Sequence, residues 1–155
     1  MSTSLFDAIR NGEASKVVSL LEEKPSLAQV KDQRGSTALL LATYYGYMDI
    51  VRVILEHPQD INTQDASGNT ALMGVCFKGY TAIAKLLIKS GADVNMSNFN
   101  GATALIFAAT FNKSEIAALL LAHGADKNAI DDKGNTALQH AKMQSSAAVL
   151  ALLES

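Results

Sequence analysis

The stretch Asp65–Leu72, which reads DASGNTAL, decides the fold of this chain because shortened copies of it recur. Copies that read GSTAL, GATAL and GNTAL begin at Gly35, Gly101 and Gly134, and these glycines and Gly68 follow one another at intervals of 33 residues. Similarity at one fixed period is the signature of repeat architectures, in which every unit packs on its neighbours. The stretch is therefore one unit of a regular array.

Apolar residues keep the same interval between these copies. In the second half of each unit, one column holds Ile50, Ile83, Ile116 and Val149, and the next holds Ile54, Leu87, Leu120 and Leu153. Within a unit the apolar positions follow the i, i+3, i+4 spacing of a helix that buries one face, as at Ile83, Leu86 and Leu87. A shorter helix with small residues such as Ala42 and Ala108 precedes it. The small side chains predict that two helix layers pack closely.

Turn and capping residues separate the predicted helices. Gly68 and its equivalents can adopt positive φ, which predicts a β-turn that projects from the helices. The threonine two residues later is predicted to cap the first helix of each unit, at Thr37, Thr70, Thr103 and Thr136. Between the two helices the chain turns at Gly46, Gly79, Asn112 and Ser145, where glycine and then asparagine best tolerate the left-handed conformation.

The segment before Asp32 lacks this turn motif but still predicts two helices. Ser4 is a candidate cap for the first, which ends near Gly12. The second carries Leu20 and Leu21 on one side and stops at Pro25, which cannot continue a helix. This hairpin is typical of a first repeat that has no earlier neighbour.

On these residues the chain resembles the ankyrin repeat family, whose unit of about 33 residues is a β-turn followed by two helices. The resemblance covers the whole chain and implies an all-α repeat solenoid of about four and a half to five stacked β-turn–helix–helix units. We expect one domain: an N-terminal capping repeat at 1–31, internal repeats at 32–64, 65–97 and 98–130, and a C-terminal capping repeat at 131–155.

The chain departs from the Thr-Pro-Leu-His pattern of that family in two columns. Alanine takes the proline position, at Ala38, Ala71, Ala104 and Ala137, and the histidine position holds Leu40, Met73, Ile106 and Gln139. Without proline the first helical φ is not preset, and without histidine a polar bridge of the family is lost. We expect a looser, more apolar junction between turn and helix, with no change of fold.

Composition argues against several classes of function. Lys and Arg number 13 and Asp and Glu 15, and the net charge of −2 gives no electrostatic reason to bind nucleic acid or an anionic membrane. Cys76 is the only cysteine, so an intramolecular disulfide is excluded. The first residues do not read as a secretory signal, and no apolar run approaches the roughly 18 residues of a membrane helix. We expect a cytoplasmic protein.

The residues that carry chemistry do not converge. His57, His123 and His140 fall at different phases of the repeat, which predicts surface or loop histidines and no metal site. Cys76 lies on an apolar helix face without a histidine in phase to activate it, which predicts a buried, inert thiol. The recurring Asp and Asn residues follow the turns. We expect no enzymatic activity and no cofactor.

The resemblance implies two sets of partner contacts. The first lies on the projecting β-turns, which we call fingers: Gln33, Arg34, Ala66, Ser67, Phe99, Asn100, Asp132 and Lys133. The second lies at the end of each first helix: Tyr44, Tyr45, Phe77, Lys78, Thr110, Phe111, Met143 and Gln144. Phe99 favours contact with a partner, because an exposed turn tip gains little stability from a phenylalanine.

Four of these residues, Tyr44, Tyr45, Phe77 and Phe111, form an aromatic ladder across three repeats. Aromatic side chains dominate the binding energy of many interfaces. They also fill gaps between stacked helices, so an interface and inter-repeat packing remain open alternatives.

A non-enzymatic module that binds a partner protein on its concave face is the leading functional hypothesis, with a monomer as the expected state. A narrower version is an inhibitor or immunity-type subunit that covers the active site of an enzyme. Self-assembly is the alternative from another class, because the segment 147–155 has Ala151 in place of outward polar residues of earlier repeats, such as Arg52 and Lys85, and adds Ala147, Ala148 and Leu150.

Overall fold

The computed structural model describes residues 2–155, and in that range ten helices form five successive pairs. The pairs are α1 (Ser2–Arg10) with α2 (Ala14–Glu23), α3 (Ala38–Tyr45) with α4 (Met48–Leu55), α5 (Ala71–Lys78) with α6 (Thr81–Lys89), α7 (Ala104–Thr110) with α8 (Ser114–Ala122), and α9 (Ala137–Met143) with α10 (Ala147–Glu154). A 3₁₀ helix at Pro25–Gln29 follows α2. The pairs stack in chain order, which confirms the predicted all-α repeat solenoid.

The helices form two layers. The first helices α1, α3, α5, α7 and α9 contact one another in succession, and the second helices pack behind them. Ala42, Ala108 and Ala141 are fully buried in the first-helix layer, where larger side chains would push the layers apart. Short first helices with small residues thus give the close packing that the sequence predicts.

The apolar columns of the second helices form the core between repeats. Ile50, Ile54, Leu87, Leu120 and Val149 have no exposed surface, and the other members of the two columns are at most 4% exposed. Each repeat therefore buries its apolar face against its neighbours, as expected for units too small to fold alone.

The predicted caps and turns are present. In every regular repeat the capping threonine Oγ1 accepts a bond of 3.3 Å from the backbone N–H three residues on. Asn112 and Ser145 adopt φ of 57° and 54°, the left-handed conformation that glycine takes at the same position in the earlier repeats.

The Asp-x-Asn loops join neighbouring repeats. Asn62 Oδ1 accepts a bond of 2.8 Å from the backbone N–H of Asp93, and Asn95 Oδ1 accepts one of 2.7 Å from Asp126. The aspartate of each loop instead accepts from its own loop, as Asp93 Oδ1 does from Asn95 N at 2.9 Å. The loop motif recurs because it provides a local bond and an inter-repeat bond.

One local prediction is wrong. Ser4 lies inside α1, because the backbone before Leu5 is already helical, and it is no cap. The junction between turn and helix carries mostly apolar side chains at the histidine position, but it keeps polar contacts in two repeats. The Thr136 N–H donates to Gln139 Oε1 at 2.7 Å and the Thr70 N–H to Met73 Sδ at 3.5 Å. Side chains at the histidine position therefore still bond the turn in two repeats.

Candidate functional site

A groove of about 530 Å³ runs along the first-helix layer, and it lies between the fingers and the ends of the first helices. It spans α1, α3, α5 and α7 and the bases of the two fingers that precede α3 and α5. Its lining is Arg10, Asp32, Arg34, Ser36, Leu40, Leu41, Thr43, Tyr44, Tyr45, Asp65, Asn69, Thr70, Ala71, Met73, Gly74, Phe77, Phe107 and Phe111. The volume is in the range of pockets that bind a small ligand or a few side chains of a peptide.

Exposed aromatic rings form the walls of the groove. Tyr44 is 51% exposed, Phe77 44% and Phe111 40%. The rings of Phe77 and Phe111 meet edge to face with centroids 4.7 Å apart, and Tyr44 meets Tyr45 in the same way at 5.6 Å. The aromatic ladder is thus two clusters, one on α3 and one at the ends of α5 and α7. Packing and exposure coexist in these rings, so the two readings of the ladder are not exclusive.

Gly74 lies on the floor of the groove between these clusters. The residues at the same position in the flanking repeats are Leu41 and Phe107, and both line the groove. A Cβ atom placed on Gly74 would meet nothing within 4 Å, although the residue is in the middle of α5. Its helical backbone needs no positive φ, so neither packing nor conformation explains a glycine here. The sequence signal was a single glycine in a column of large residues.

Charges at the finger end of the groove are mixed. Arg10 lies 3.2 Å from Asp7 and 3.7 Å from Asp32, so its charge is balanced within the chain. Arg34 and Asp65 also line the groove and make no ion pair with each other or with another described residue. These residues therefore do not form an acidic surface. Such a surface would favour an inhibitor that mimics an anionic substrate.

Five residues of the predicted contact sets line the groove: Arg34, Tyr44, Tyr45, Phe77 and Phe111. Lys78 lies beside it, with Nζ 4.3 Å from the centroid of the Tyr44 ring. Thr110 donates to the Ile106 carbonyl at 2.7 Å and is half-buried. The remaining members are exposed outside the groove: Gln33, Ala66, Ser67, Asn100, Asp132, Lys133, Met143 and Gln144. The sequence did not single out Asp65, Gly74 or Phe107 as parts of this groove.

Phe99 combines two roles that the sequence could not separate. Its side chain is 66% exposed on the finger tip, as expected for a contact residue. Its backbone N–H also donates to the Ser67 carbonyl at 3.2 Å, and its ring lies over the buried Gly68. Part of the side chain therefore helps to hold one finger on the next.

The reactive side chains are placed as structural groups, with one difference from prediction. Cys76 is fully buried, and desolvation raises the pKa of its thiol well above the usual range. His140 is not a surface or loop residue: it is half-buried on α9, with Nε2 2.7 Å from Asp131 Oδ2. This contact is not apparent from the repeat phase of the histidines, because the finger folds back on its own helix.

Asp131 is bound from three sides. Desolvation raises its pKa, but the N–H groups of Asn135 and Lys133 and the ring of His140 stabilise the carboxylate, and together they lower the pKa below its ordinary value. Within residues 2–155, no group of three or more His, Cys, Asp or Glu side chains has the arrangement of a metal site.

Stacked helix pairs with projecting turns and an open groove define a helical repeat scaffold, a class that presents surface for contact. The family model for ankyrin repeats (3 copies) matches residues 5–98 and 73–155, and the chain belongs to the ankyrin repeat family. Members of this family generally act in protein–protein interaction, and the domains are typically non-catalytic. In the described part of the chain, every helix is too short or too polar to cross a membrane.

Proposed function

We propose that this chain is a non-enzymatic, cytoplasmic interaction module that binds a segment of one partner protein in the groove of the first-helix layer. The observation that carries the proposal is the exposure of Tyr44, Tyr45, Phe77 and Phe111 around a single cavity. Clustered aromatic side chains are the usual anchors of binding energy at interfaces, where one anchor contributes about 2 kcal/mol or more.

The finger residues supply specificity in this proposal. Arg34 reaches the groove from one finger, while Gln33, Asn100, Asp132 and Lys133 lie exposed along the row of fingers. Polar rim residues around an apolar centre match the general anatomy of protein interfaces. The partner therefore lies across several repeats, with its apolar anchors between the aromatic clusters.

Affinity capture from the native source tests this proposal. Wild type is compared with a Tyr45→Ala/Phe111→Ala double variant, and with an Arg52→Ala/Lys85→Ala control on the exposed face of the second helices. The partner should be retained by wild type and by the control and be lost with the double variant, while circular dichroism shows that all three fold. Equal retention by the double variant would place the contact elsewhere.

Self-association remains a second candidate because of the exposed apolar residues in the last repeat and directly before it. Ile130 and Met143 are each 59% exposed, and Ala147, Ala148 and Ala151 are exposed on α10. Ile130 is the equivalent of Lys31 and Gln64 in earlier repeats. Lys31 Nζ donates to the Gln64 carbonyl, and Gln64 Nε2 donates to the Ser97 carbonyl, so both side chains bond the equivalent residue of the next repeat. Light scattering over a concentration series tests this candidate. A mass that stays at the monomer value removes it. A mass that doubles as the concentration rises, and that returns to the monomer value in the Ile130→Asp variant, supports it.

A further inference from the structure

One acidic or amide residue recurs at the base of each finger, and in every copy it holds the turn. Its Oδ1 accepts two backbone N–H groups, from the residues two and four positions later, at 2.9 to 3.0 Å. The four residues are Asp32, Asp65, Asn98 and Asp131. Asparagine therefore builds this turn as well as aspartate, and the negative charge must be explained separately.

The other terminal atom of this side chain is Oδ2 in aspartate and Nδ2 in asparagine, and it has a partner in three of the four copies. Arg10 lies 3.7 Å from Asp32 Oδ2, His140 lies 2.7 Å from Asp131 Oδ2, and Asn98 Nδ2 donates to Asn69 at 2.8 Å. Asp65 is the exception, because no donor or cation of the described chain reaches its Oδ2. The carboxylate of Asp65 is the one charge in this column without a counter-charge.

This carboxylate lines the groove beside the Gly74 floor. The missing side chain at Gly74 leaves a notch between Leu41 and Phe107, with Tyr44 and Phe77 on the walls. A ligand here meets apolar and aromatic surface along its length and a carboxylate at one end. A long side chain that carries a cation on an apolar stem matches both features.

The aromatic walls themselves accept a cation within the chain. Lys78 Nζ lies 4.3 Å from the centroid of the Tyr44 ring, inside the range of cation–π attraction. Arg10 does not oppose a second cation strongly, since Asp7 and Asp32 balance its charge. Arg34 is the remaining positive charge of the lining and lies exposed on the finger tip, where solvent screens it.

We propose that the Asp65–Gly74 notch binds an arginine side chain of the partner protein, a step that rests on the groove being the protein-binding site proposed above. The arginine stem lies over Gly74 between Leu41 and Phe107, and the guanidinium donates to Asp65 Oδ2. Arginine fits better than lysine, because its planar, weakly hydrated head stacks on aromatic rings while it donates to a carboxylate.

A random linear peptide library displayed on phage tests the notch directly. Peptides are selected on the wild-type chain, synthesised, and measured against wild type, Asp65→Asn and Asp93→Asn. Asp65→Asn keeps the turn, as Asn98 does, and removes only the charge. Asp93→Asn removes the same charge from a loop outside the groove. We expect the selected sequences to share an arginine and to lose about tenfold or more in affinity with Asp65→Asn alone.

The same peptides separate this inference from the proposed function. Replacement of the shared arginine by citrulline, its neutral isostere, should weaken binding to wild type and leave binding to Asp65→Asn unchanged. Selected peptides that lose affinity with Tyr45→Ala/Phe111→Ala but not with Asp65→Asn would overturn the arginine notch and leave the groove intact. Peptides insensitive to every groove variant, or no selected peptide at all, would count against both.

Discussion

Phe99 lies so close to Gly68 that a Cβ atom at position 68 would stand 2.6 Å from Phe99 N and 2.7 Å from its Cδ1. The glycine is buried and has a φ of 82°. Gly134 occupies the equivalent position with a φ of 78°, and a Cβ there would meet nothing within 4 Å. Both positions favour glycine because of the positive φ, but only position 68 also lacks room for a Cβ atom.

Gly68→Ala should therefore destabilise the fold more than Gly134→Ala. Both variants carry the cost of a left-handed alanine, about 1–2 kcal/mol before the smaller entropy of the unfolded chain is counted. Only the first also forces Phe99 and its finger aside, which adds about 1–3 kcal/mol as other overpacked sites do. Urea denaturation measures the difference, and equal costs would show that the finger shifts freely.

Gly74→Ala should raise the free energy of unfolding by about 0.5–1 kcal/mol, because α5 gains a better helix former without a clash.

Gly74→Leu should fill the notch and weaken partner binding while the fold remains stable. Ala118→Leu on the exposed face of α8 is the matched control for added apolar bulk. Unchanged partner affinity with Gly74→Leu would show that the floor of the groove is not contacted.

Ser145→Gly should stabilise the last repeat by up to about 1 kcal/mol. Ser145 has a φ of 54°, a conformation that costs L-residues about 1–2 kcal/mol and that glycine adopts freely, less the entropy that glycine adds to the unfolded chain. Ser145→Ala keeps the strain and serves as the control. The midpoint of thermal denaturation should be higher for Ser145→Gly than for wild type and for Ser145→Ala. An equal gain from Ser145→Ala would show that loss of the hydroxyl group, and not relief of the strain, is the cause.

Leu87→Ala should cost about 2–5 kcal/mol of stability, because it empties a fully buried position between repeats. Phe111→Ala should cost about 1–2 kcal/mol, since its ring is 40% exposed but pairs with Phe77 and stacks on Phe107. Chemical denaturation separates the two. If Phe111→Ala costs as much as Leu87→Ala and leaves partner binding intact, the aromatic ladder is packing.

Asp131 should make stability fall in acid. Its pKa is lowered on folding, so the ionised carboxylate stabilises the native state fully above the unfolded value of about 3.9. That stabilisation is lost as the pH falls through the lowered pKa. Asp131→Asn should therefore lose less stability than wild type on acidification, whereas Asp132→Asn, at the exposed neighbour, should follow wild type. Denaturation midpoints along a pH series give the comparison, and parallel curves for Asp131→Asn and wild type would exclude this role.

The groove itself was only partly predictable. The resemblance to the ankyrin repeat family led to Tyr44 and Phe77 at one phase of the repeat and to Tyr45 and Phe111 at the next, and adjacent phases of a solenoid lie on one face. The empty space above Gly74 is visible only in the structure, whereas in the sequence a glycine within a helix indicates only a weaker helix. The resemblance therefore did not indicate Gly74. It also missed the pairing of Asp131 with His140, which depends on how the finger folds back onto α9.

The sequence by itself determined the architecture of this protein: the period of 33 residues, the buried columns, the capping threonines and the left-handed turns all repeat, because every unit makes the same turns and the same packing contacts with its neighbours. The tertiary structure decided which copies differ in their surroundings. Asp32, Asp65 and Asp131 are the same residue in the same turn, yet only Asp65 faces the groove without a counter-charge. Such differences arise because the partners lie outside the turn: Arg10 reaches Asp32 from the preceding repeat, and His140 reaches Asp131 from the helix that follows the turn.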